Sequence, residues 1–463
     1  MAKLAPKPES RPEGIGMIKR IGLFRRDIFS SQPARLYHAW MAQVRMPFYH
    51  SFLVNQPELV RRVLIDDAEN FPKSEVLSDT LRPLLGDSIF ATNAAQWRAQ
   101  RDIINPAFKG CPSQAFSSMC EAGDAAIERL KKRSDGEFVE MEFVTSHLAA
   151  DIIFRTLFSV PLPAESAEKV FVAFREYQKS QPLWSIPTLL KMPNWVPRFR
   201  SKAAERHADT IRGLLTDMIA ARQIEIDEGV APDDLATSLM TAEDPKTGQR
   251  FSRAEMVDQV AIFFLAGHET SASALSWAFY LLALDTGVQD AVATEAQLLS
   301  EPPHPTDLSK MRFTKDVFHE TLRLYPPVPM YLRDAAKVTA FRGCPVPVGS
   351  MVIVSPWHLH RHERLWDHPD EFDPYRWNTE NGRACKRDAF IPFSAGPRVC
   401  PGAGFGRIEG VLMLAMFLKA FRFETTNRVP VPVAHLTVRS KDGIYLRVTP
   451  RDGPDTTAEQ THE

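Results

Sequence analysis

Apolar residues recur every three or four positions along most of the chain, which is the pattern of α-helices with a buried face. This spacing predicts helices over 57–68, 94–104, 114–132, 140–159, 165–179, 199–228, 253–284, 287–299, 313–324 and 402–421. Stretches rich in β-branched and aromatic residues are short, and they predict strands over 48–54, 336–341, 350–355 and 443–450. The predicted fold class is therefore mainly α, a large helical body with a small peripheral β region.

The domain organisation follows from a sequence without internal repeats and without glycine- or serine-rich linkers. We expect a single domain over 31–451 and a frayed tail over 452–463. The N-terminal arm, 1–30, is rich in proline and then mixes apolar with basic residues, so it predicts neither a signal peptide nor a membrane anchor. An arm that packs on the domain is favoured over one that touches a membrane surface.

The composition is that of a soluble globular protein. The chain carries 56 basic and 57 acidic residues, a net charge of −1, so no strong field favours nucleic acid or an anionic membrane as a partner. Five scattered cysteines do not make a disulfide framework, and they favour a reducing compartment. We therefore expect a cytoplasmic monomer.

The helix predicted over 253–284 is strongly apolar but is interrupted by the segment AGHET at 266–270. Its unbroken apolar runs are too short for a membrane span, so the segment predicts a long helix through the protein interior. Ala266 and Thr270 lie four positions apart and share one face of that helix. A polar stripe, or a threonine bonded back to its own helix, is the alternative interpretation.

Cys400 stands in the segment FSAGPRVCPGAGFGRIEG, 393–410, directly before a strongly apolar predicted helix. A thiolate at a helix N-terminus meets unpaired N–H groups, which lower the pKa of the thiol and stabilise a metal-bound sulfur. Gly396 and Gly402 let the backbone turn tightly around the sulfur. An inert buried cysteine is the alternative, and it would be favoured if Cys400 stood alone.

The segment resembles the cysteine loop of the cytochrome P450 family, the haem-thiolate monooxygenases, which reads Phe-x-x-Gly-x-Arg-x-Cys-x-Gly. Here the pattern falls on Phe393, Gly396, Arg398, Cys400 and Gly402. Five fixed positions match by chance in about one in 10⁴ sequences of this length. The resemblance implies the P450 fold of a soluble, bacterial-type member, with Cys400 as the axial ligand of the haem iron.

Further motifs occur in the order of the family and extend the resemblance over at least 84–447. The segments WRAQRDIINPAF, MYLRDA and the cysteine loop imply cofactor-binding roles for Trp97, Arg101, Arg333, Phe393, Arg398 and Gly402, the arginines and the indole facing the haem propionates. The segments ETLRLYPPVP and FDPYRW imply a buried structural network of Glu320, Arg323 and Arg376. Without the cysteine loop, ordinary core and surface roles would be favoured for these residues.

A histidine-rich segment, WHLHRHERLWDHP, contains His358, His360, His362 and His368 at a spacing that could chelate zinc. No nearby cysteine or organised acid completes a ligand set. We therefore expect no metal site in this segment.

The resemblance implies oxygen activation with haem b and O2, because thiolate ligation favours O–O cleavage. In this interpretation Ala266 leaves room for O2, Gly267 lets the helix bulge, and Thr270 holds water with its hydroxyl. Glu269 is the expected proton source, since partial burial raises the pKa of a carboxyl towards neutrality. One family branch esterifies its haem through a glutamate at the position of Ala266, so we expect non-covalent haem.

The expected substrate is a lipophilic small molecule such as a fatty acid, a terpenoid or a steroid-like compound, which the enzyme would hydroxylate or epoxidise. Four residues fall in segments that line the pocket in the family, namely Phe90, Phe263, Val328 and Ile444. The resemblance covers no flavin or ferredoxin module, so we expect a separate redox partner, a ferredoxin with its NAD(P)H reductase. The expected docking patch consists of basic residues around Arg98, Lys109 and Arg407.

Two alternative functions remain open at this point. One is peroxide-driven, coupling or rearrangement chemistry on the same haem, and the other is a non-enzymatic haem-thiolate sensor or carrier. Members of the first kind often lack the acid and alcohol that Glu269 and Thr270 provide, and a sensor would not need a proton relay. The sequence therefore favours the monooxygenase.

Overall fold

The computed structural model describes residues 3–46, 49–133, 138–162, 165–180 and 201–451. Its helices are α1 (Met17–Arg26), α2 (Pro57–Arg61), α3 (Glu75–Leu85), α4 (Ala94–Gln114), α5 (Phe116–Lys131), α6 (Met141–Phe158), α7 (Glu165–Ser180), α8 (Lys202–Asp227), α9 (Leu235–Thr241), α10 (Arg253–Leu284), α11 (Thr286–Ala296), α12 (Arg312–Leu324), α13 (Pro356–Leu359), α14 (Glu380–Asp388) and α15 (Ala403–Ala420). Its strands are β1 (Met41–Met46), β2 (Tyr49–Val54), β3 (Phe138–Glu140), β4 (Tyr331–Asp334), β5 (Thr339–Phe341), β6 (Cys344–Val346), β7 (Met351–Val354), β8 (Phe421–Thr425), β9 (Pro432–Ala434), β10 (Val438–Ser440) and β11 (Tyr445–Pro450). The mainly α fold class is confirmed.

The predicted helices occur in the structure, most of them with ends shifted by at most three residues. The helix predicted over 94–104 is the main exception, because it continues past Pro106 to Gln114. A proline inside a helix costs about 3 kcal/mol, and the turns beyond it bury Cys111 and pack Phe108 against Phe263. Five described helices, α1, α3, α9, α13 and α14, were not expected, and none of them is longer than 11 residues.

The central element is α10, a helix of 32 residues whose side chains are mostly buried. Ser252 begins it with a capping box, in which the serine hydroxyl accepts from the N–H of Glu255 and the Glu255 carboxylate accepts from the N–H of Ser252. Because α10 is apolar all round, it is enclosed by other helices, including α6 and α15. It therefore carries the segment 266–270 into the middle of the protein.

The strands form small sheets. The largest has the order β1-β2-β7-β4, in which β2 and β7 are parallel and the other pairs are antiparallel. A three-stranded sheet has the order β3-β11-β8, and β5-β6 and β9-β10 are two-stranded. For the site, the important strands are β4, which carries Arg333, and β10, which carries Arg439.

The described part of the N-terminal arm packs on the domain. Leu4 forms a β-bridge with Glu371, and the Tyr325 hydroxyl donates to the Pro6 carbonyl at 2.8 Å. Within the arm, residues 17–26 are helical. The tail over 452–463 lies outside the described residues. Across the described ranges, no helix combines the length and the apolar character needed to cross a membrane.

Candidate active site

A cavity of about 330 Å³ lies between the middle of α10 and the cysteine loop. The expected cofactor residues Trp97, Arg101, Arg333, Phe393, Arg398, Cys400 and Gly402 all line it. So do Ala266, Gly267 and Thr270 of α10 and the expected pocket residues Phe90, Phe263 and Val328. Ile444 does not: it is 1% exposed and belongs to the main hydrophobic core, so its expected place in the pocket is wrong.

The cysteine loop is held by its own backbone. The Cys400 N–H donates to the Phe393 carbonyl at 2.9 Å, and Gly396 has a φ of +68°. A Cβ at Gly396 would lie 2.0 Å from the Leu64 carbonyl oxygen, so only glycine fits there. Gly402 has a φ of −83°, an ordinary value, so the expected need for glycine in a tight turn is wrong at that position.

The thiol of Cys400 faces the cavity three residues before the start of α15. The N–H of Gly402 and the charges of Arg101 and Arg407 lower the pKa of this thiol, but burial outweighs them and the net shift is upward. The expected net lowering by the helix N-terminus is therefore wrong for the thiol alone. A coordinated metal cation removes the proton outright.

A cluster of cations lines the same cavity: Arg101, Arg333, Arg398 and Lys73. Burial lowers the pKa of each, and no carboxylate figures among the charges that act on any of them in the part of the chain that is described. Arg333 is buried and the other three cations are partly buried, and a group of such cations without a carboxylate partner favours an anionic ligand. Two carboxylates of a bound ligand would meet that need.

Lys73 is a cation of the cavity lining that sequence reasoning missed. Its Nζ donates to the Phe90 carbonyl at 2.7 Å and lies 2.9 Å from the centroid of the Phe90 ring. Burial and the neighbouring charges of Arg333 and Arg398 hold its pKa well below the usual value. A single lysine in a loop has no characteristic spacing, so no sequence pattern could have pointed to it.

The donor set fits a thiolate-ligated haem. Cys400 supplies the sulfur, the cationic cluster can neutralise two propionates, and apolar side chains supply the walls. Arg398 illustrates how the cluster is anchored: it lies 4.3 Å from the Trp97 ring centroid and donates to Asn93 Oδ1 at 2.6 Å. Arg101 donates to the Val399 carbonyl at 2.9 Å, next to the cysteine.

On α10, Thr270 donates its hydroxyl proton to the Ala266 carbonyl at 2.6 Å, four residues earlier. The helix is continuous over this segment, so the expected bulge at Gly267 is wrong. Gly267 serves close packing instead, because a Cβ there would come within 2.8 Å of Ile153 Cδ1 on α6. Both Ala266 and Thr270 keep an exposed surface towards the cavity.

Glu269 is buried and faces the β9–β10 hairpin rather than the cavity lining. Its carboxylate accepts from Arg439 at 2.6 Å and from the Thr437 hydroxyl at 2.9 Å. Burial raises the pKa of Glu269, but Arg439 and the hydrogen bonds lower it more, to about 2. The expected rise of this pKa is therefore wrong, and Glu269 is ionised at neutral pH.

The structure brings Glu320, Arg323 and Arg376 together in the interior. Arg323 makes two hydrogen bonds of 2.8 Å to the Glu320 carboxylate, and Arg376 adds one of 2.9 Å. Arg323 also donates to the carbonyls of Pro369 and Glu371. The network therefore ties α12 to the segment that leads to the cysteine loop.

The histidines of the 357–369 segment have separate partners. His358 is hydrogen-bonded to the Ser355 hydroxyl at 2.9 Å, His360 accepts from the Ile391 N–H at 2.9 Å, and His362 stacks on Trp40. Among the residues that the structure describes, no three His, Cys, Asp or Glu side chains could hold a metal ion together.

Comparison with known proteins agrees with this geometry. The Cytochrome P450 family model matches residues 16–447. The chain is 30% identical over 421 residues to cyclooctat-9-en-7-ol 5-monooxygenase of Streptomyces melanosporofaciens, with 89% of this chain and 87% of that protein covered. It is 29% identical over 426 residues to pentalenene oxygenase of Streptomyces avermitilis, with 89% and 91% covered, and 29% identical over 473 residues to protein LUTEIN DEFICIENT 5, chloroplastic, of Arabidopsis thaliana, with 96% and 77% covered. The chain belongs to the cytochrome P450 family of haem-thiolate monooxygenases.

Proposed function

We propose that this monooxygenase uses two electrons and two protons to split O2 and to hydroxylate or epoxidise a lipophilic small molecule. The observation that carries the proposal is a single, largely apolar cavity. Cys400 lines it on one side, and Ala266 and Thr270 of α10 line it on the other. When bound, haem b ligated by the Cys400 thiolate supplies the oxygen-activating chemistry.

The residues that would hold this haem are those described above. Cys400 would bind the iron, and Lys73, Arg101, Arg333 and Arg398 would pair with the propionates. Ala266 offers no carboxyl group for an ester bond, which supports non-covalent binding.

Thr270 would orient water or O2 in the cavity. Because its hydroxyl proton is donated to the Ala266 carbonyl, the oxygen keeps its acceptor capacity towards the cavity. A hydrogen-bond acceptor at this point favours water that can in turn pass on a proton. Glu269 is a carboxylate, so it would have to accept a proton before it could pass one on. Its ion pair with Arg439 would have to break first.

The substrate class follows from the walls of the cavity. Phe90, Phe263 and Val328 are apolar, which favours a fatty acid, terpenoid or steroid-like molecule over a charged one. Two relatives are named for oxidation of cyclooctat-9-en-7-ol and of pentalenene. Among the three classes we therefore propose terpenoids first.

The electron donor is proposed to be a ferredoxin with its NAD(P)H reductase. Lys109 and Arg407 are exposed, and Arg98 pairs with Glu69 at 2.7 Å on the surface. Charge reversal at Lys109 and Arg407 should slow reduction of the enzyme at low salt, whereas unchanged reduction kinetics would contradict this docking patch. The five free cysteines support a cytoplasmic location, and we expect a monomer.

The first test is the carbon monoxide difference spectrum of the reduced protein. A red-shifted Soret band is expected, and its absence would exclude Cys400 as a thiolate ligand. Binding spectra over a panel of terpenoids, fatty acids and steroids should then show a low-to-high-spin shift with the preferred class.

Turnover with a surrogate ferredoxin and reductase separates an enzyme from a sensor. Thr270→Ala should lower the product formed per NAD(P)H, while Thr270→Ser, which keeps the hydroxyl, should retain it. Full coupling in Thr270→Ala would leave this hydroxyl with a structural role only.

A further inference from the structure

A second carboxyl group near the cavity, Glu409, is not used by the mechanism above. It lies on α15, nine residues after Cys400, and is 1% exposed. Whereas Glu269 has Arg439 as its partner, the only described group that acts on Glu409 is the hydroxyl of Ser271. An isolated carboxylate in the interior is costly, so burial raises the pKa of Glu409 to about 8.

Several charged and titratable groups on the helices packed against α15 have other partners. They include Glu269 on α10, ion-paired with Arg439; Asp290 on α11, paired with Arg451; Glu295 on α11, bound to Thr314; His319 on α12, packed on Trp377 and Phe390; Glu121 on α5, paired with Arg155; and Arg101 on α4, bound to the Val399 carbonyl. None of them figures among the influences on the Glu409 carboxyl. The group is therefore an uncharged acid at neutral pH, not half of an ion pair.

The contact with Ser271 gives this acid a path to the cavity. The Ser271 hydroxyl donates to Glu409 Oε2, and Ser271 itself lines the cavity next to Thr270. For a protonated carboxyl to donate in this contact, the hydroxyl must turn its own proton towards the cavity, which a hydroxyl can do because it accepts and donates at once. One hydrogen bond thus connects this buried acid with a side chain that lines the cavity where O2 is proposed to be reduced.

We propose that Glu409 stores a proton and delivers it to the cavity through Ser271. This inference rests on the proposed function. In each delivery the Glu409 O–H bond breaks as Ser271 Oγ takes that proton, and the proton of the Ser271 hydroxyl passes to water or reduced oxygen in the cavity. Glu409 is left as a carboxylate, and after product release it regains a proton that enters from bulk solvent and passes through cavity water and Ser271, so that no hydroxide is left in the cavity.

Glu269 on α10 and Glu409 on α15 therefore differ in their charge at the start of a turnover. Glu269 is ionised and bound to Arg439, so it has no proton to give at the start of a turnover. Glu409 holds its proton in the resting state and touches the cavity lining directly through Ser271. Two protons are required in each turnover, and Glu409 can supply one of them from its store, which bulk solvent refills before the next turnover.

Infrared spectroscopy of the haem-loaded enzyme tests the charge state without turnover. At neutral pH the wild type should show the carbonyl stretch of a protonated carboxyl that shifts in D2O and is lost as the pH rises above about 8. Glu409→Gln should lack this band. A band that survives the substitution, or is absent from the wild type, would overturn the proposal.

Turnover tests the transfer itself. Glu409→Gln keeps the shape of the side chain but has no acidic proton, and general acids contribute factors of about 10² to 10⁴. Because water can replace part of that, we expect a fall of about tenfold in product per NAD(P)H, with the missing electrons recovered as hydrogen peroxide. The wild type should lose coupling as the pH rises through about 8, whereas Glu409→Gln should show no such step.

Ser271→Ala should lower the product formed per NAD(P)H in the same way. This variant replaces Glu409→Gln in the experiment if Glu409→Gln does not fold. The matched control is Ser276→Ala, which removes a buried serine of the same helix that does not line the cavity. Ser276→Ala should couple like the wild type. Wild-type turnover with unchanged coupling in Glu409→Gln would overturn this inference alone, whereas a wild type that forms no product with any surrogate partner would overturn the proposed function as well.

Discussion

The buried acid on α15 makes a quantitative prediction about stability. Between the ordinary glutamate pKa of 4.5 and a folded-state pKa of about 8, the folded chain holds one proton more than the unfolded chain at Glu409. The free energy of unfolding therefore falls as the pH rises in this window, by about 1.4 kcal/mol per pH unit. Glu409→Gln has no proton to lose. Its free energy of unfolding relative to wild type should rise by about 3 kcal/mol between about pH 5.5 and pH 8.

Urea unfolding followed by far-ultraviolet circular dichroism measures this difference at a series of pH values. The pH dependence of all other groups cancels between variant and wild type. Glu269→Gln is the matched control: since the folded-state pKa of Glu269 is about 2, that carboxyl is ionised in both states over the whole range. Its difference from wild type should stay constant above about pH 5.5. A flat difference for Glu409→Gln as well would refute the view that burial keeps Glu409 uncharged.

Three further substitutions test the site and the corrected assignments. Gly396→Ala should prevent stable haem incorporation, measured as haem per protein, because its Cβ would meet the Leu64 carbonyl oxygen at 2.0 Å; normal haem content would contradict the assigned backbone. Glu320→Gln should lower the free energy of unfolding by roughly 3 to 5 kcal/mol, since it leaves two buried arginines without their carboxylate, and a loss below about 1 kcal/mol would place the network at the surface. Ile444→Ala should lower stability by about 2 to 5 kcal/mol and leave substrate-binding spectra unchanged, whereas Val328→Ala should alter those spectra; the reverse result would return Ile444 to the pocket.

Several parts of the fold could be predicted from sequence because they depend on neighbouring residues. The long helix α10 was predicted with its observed ends, since its apolar stretch is long. Short helices such as α13 and α14 lack a stretch of that length and were missed. Pro106 indicated a helix end, but packing of the turns beyond it, including Cys111, outweighs the local cost of proline.

The cysteine loop was also predictable, because its motif combines the candidate metal ligand, Cys400, with Gly396, a glycine that the backbone conformation requires. In contrast, Lys73 was missed and Ile444 was misplaced, since only the folded chain decides which side chains face the cavity. The charge states of Glu269 and Glu409 could not be predicted from sequence for the same reason, because they depend on which side chains each carboxyl meets in the folded chain.

By itself, the sequence determined the mainly α class and, through its resemblance to the family, it indicated Cys400 and the other candidate haem-binding residues except Lys73. The α class follows from spacing along the chain, because side chains three or four positions apart share a helix face. The candidate haem-binding residues follow from the motifs of the family. Only the tertiary structure decided which acid carries a proton: Glu269 meets Arg439 from 170 positions away, and Glu409 meets Ser271 from 138 positions away. A pKa depends on burial and on the nearest charges, and both are set by packing between distant segments.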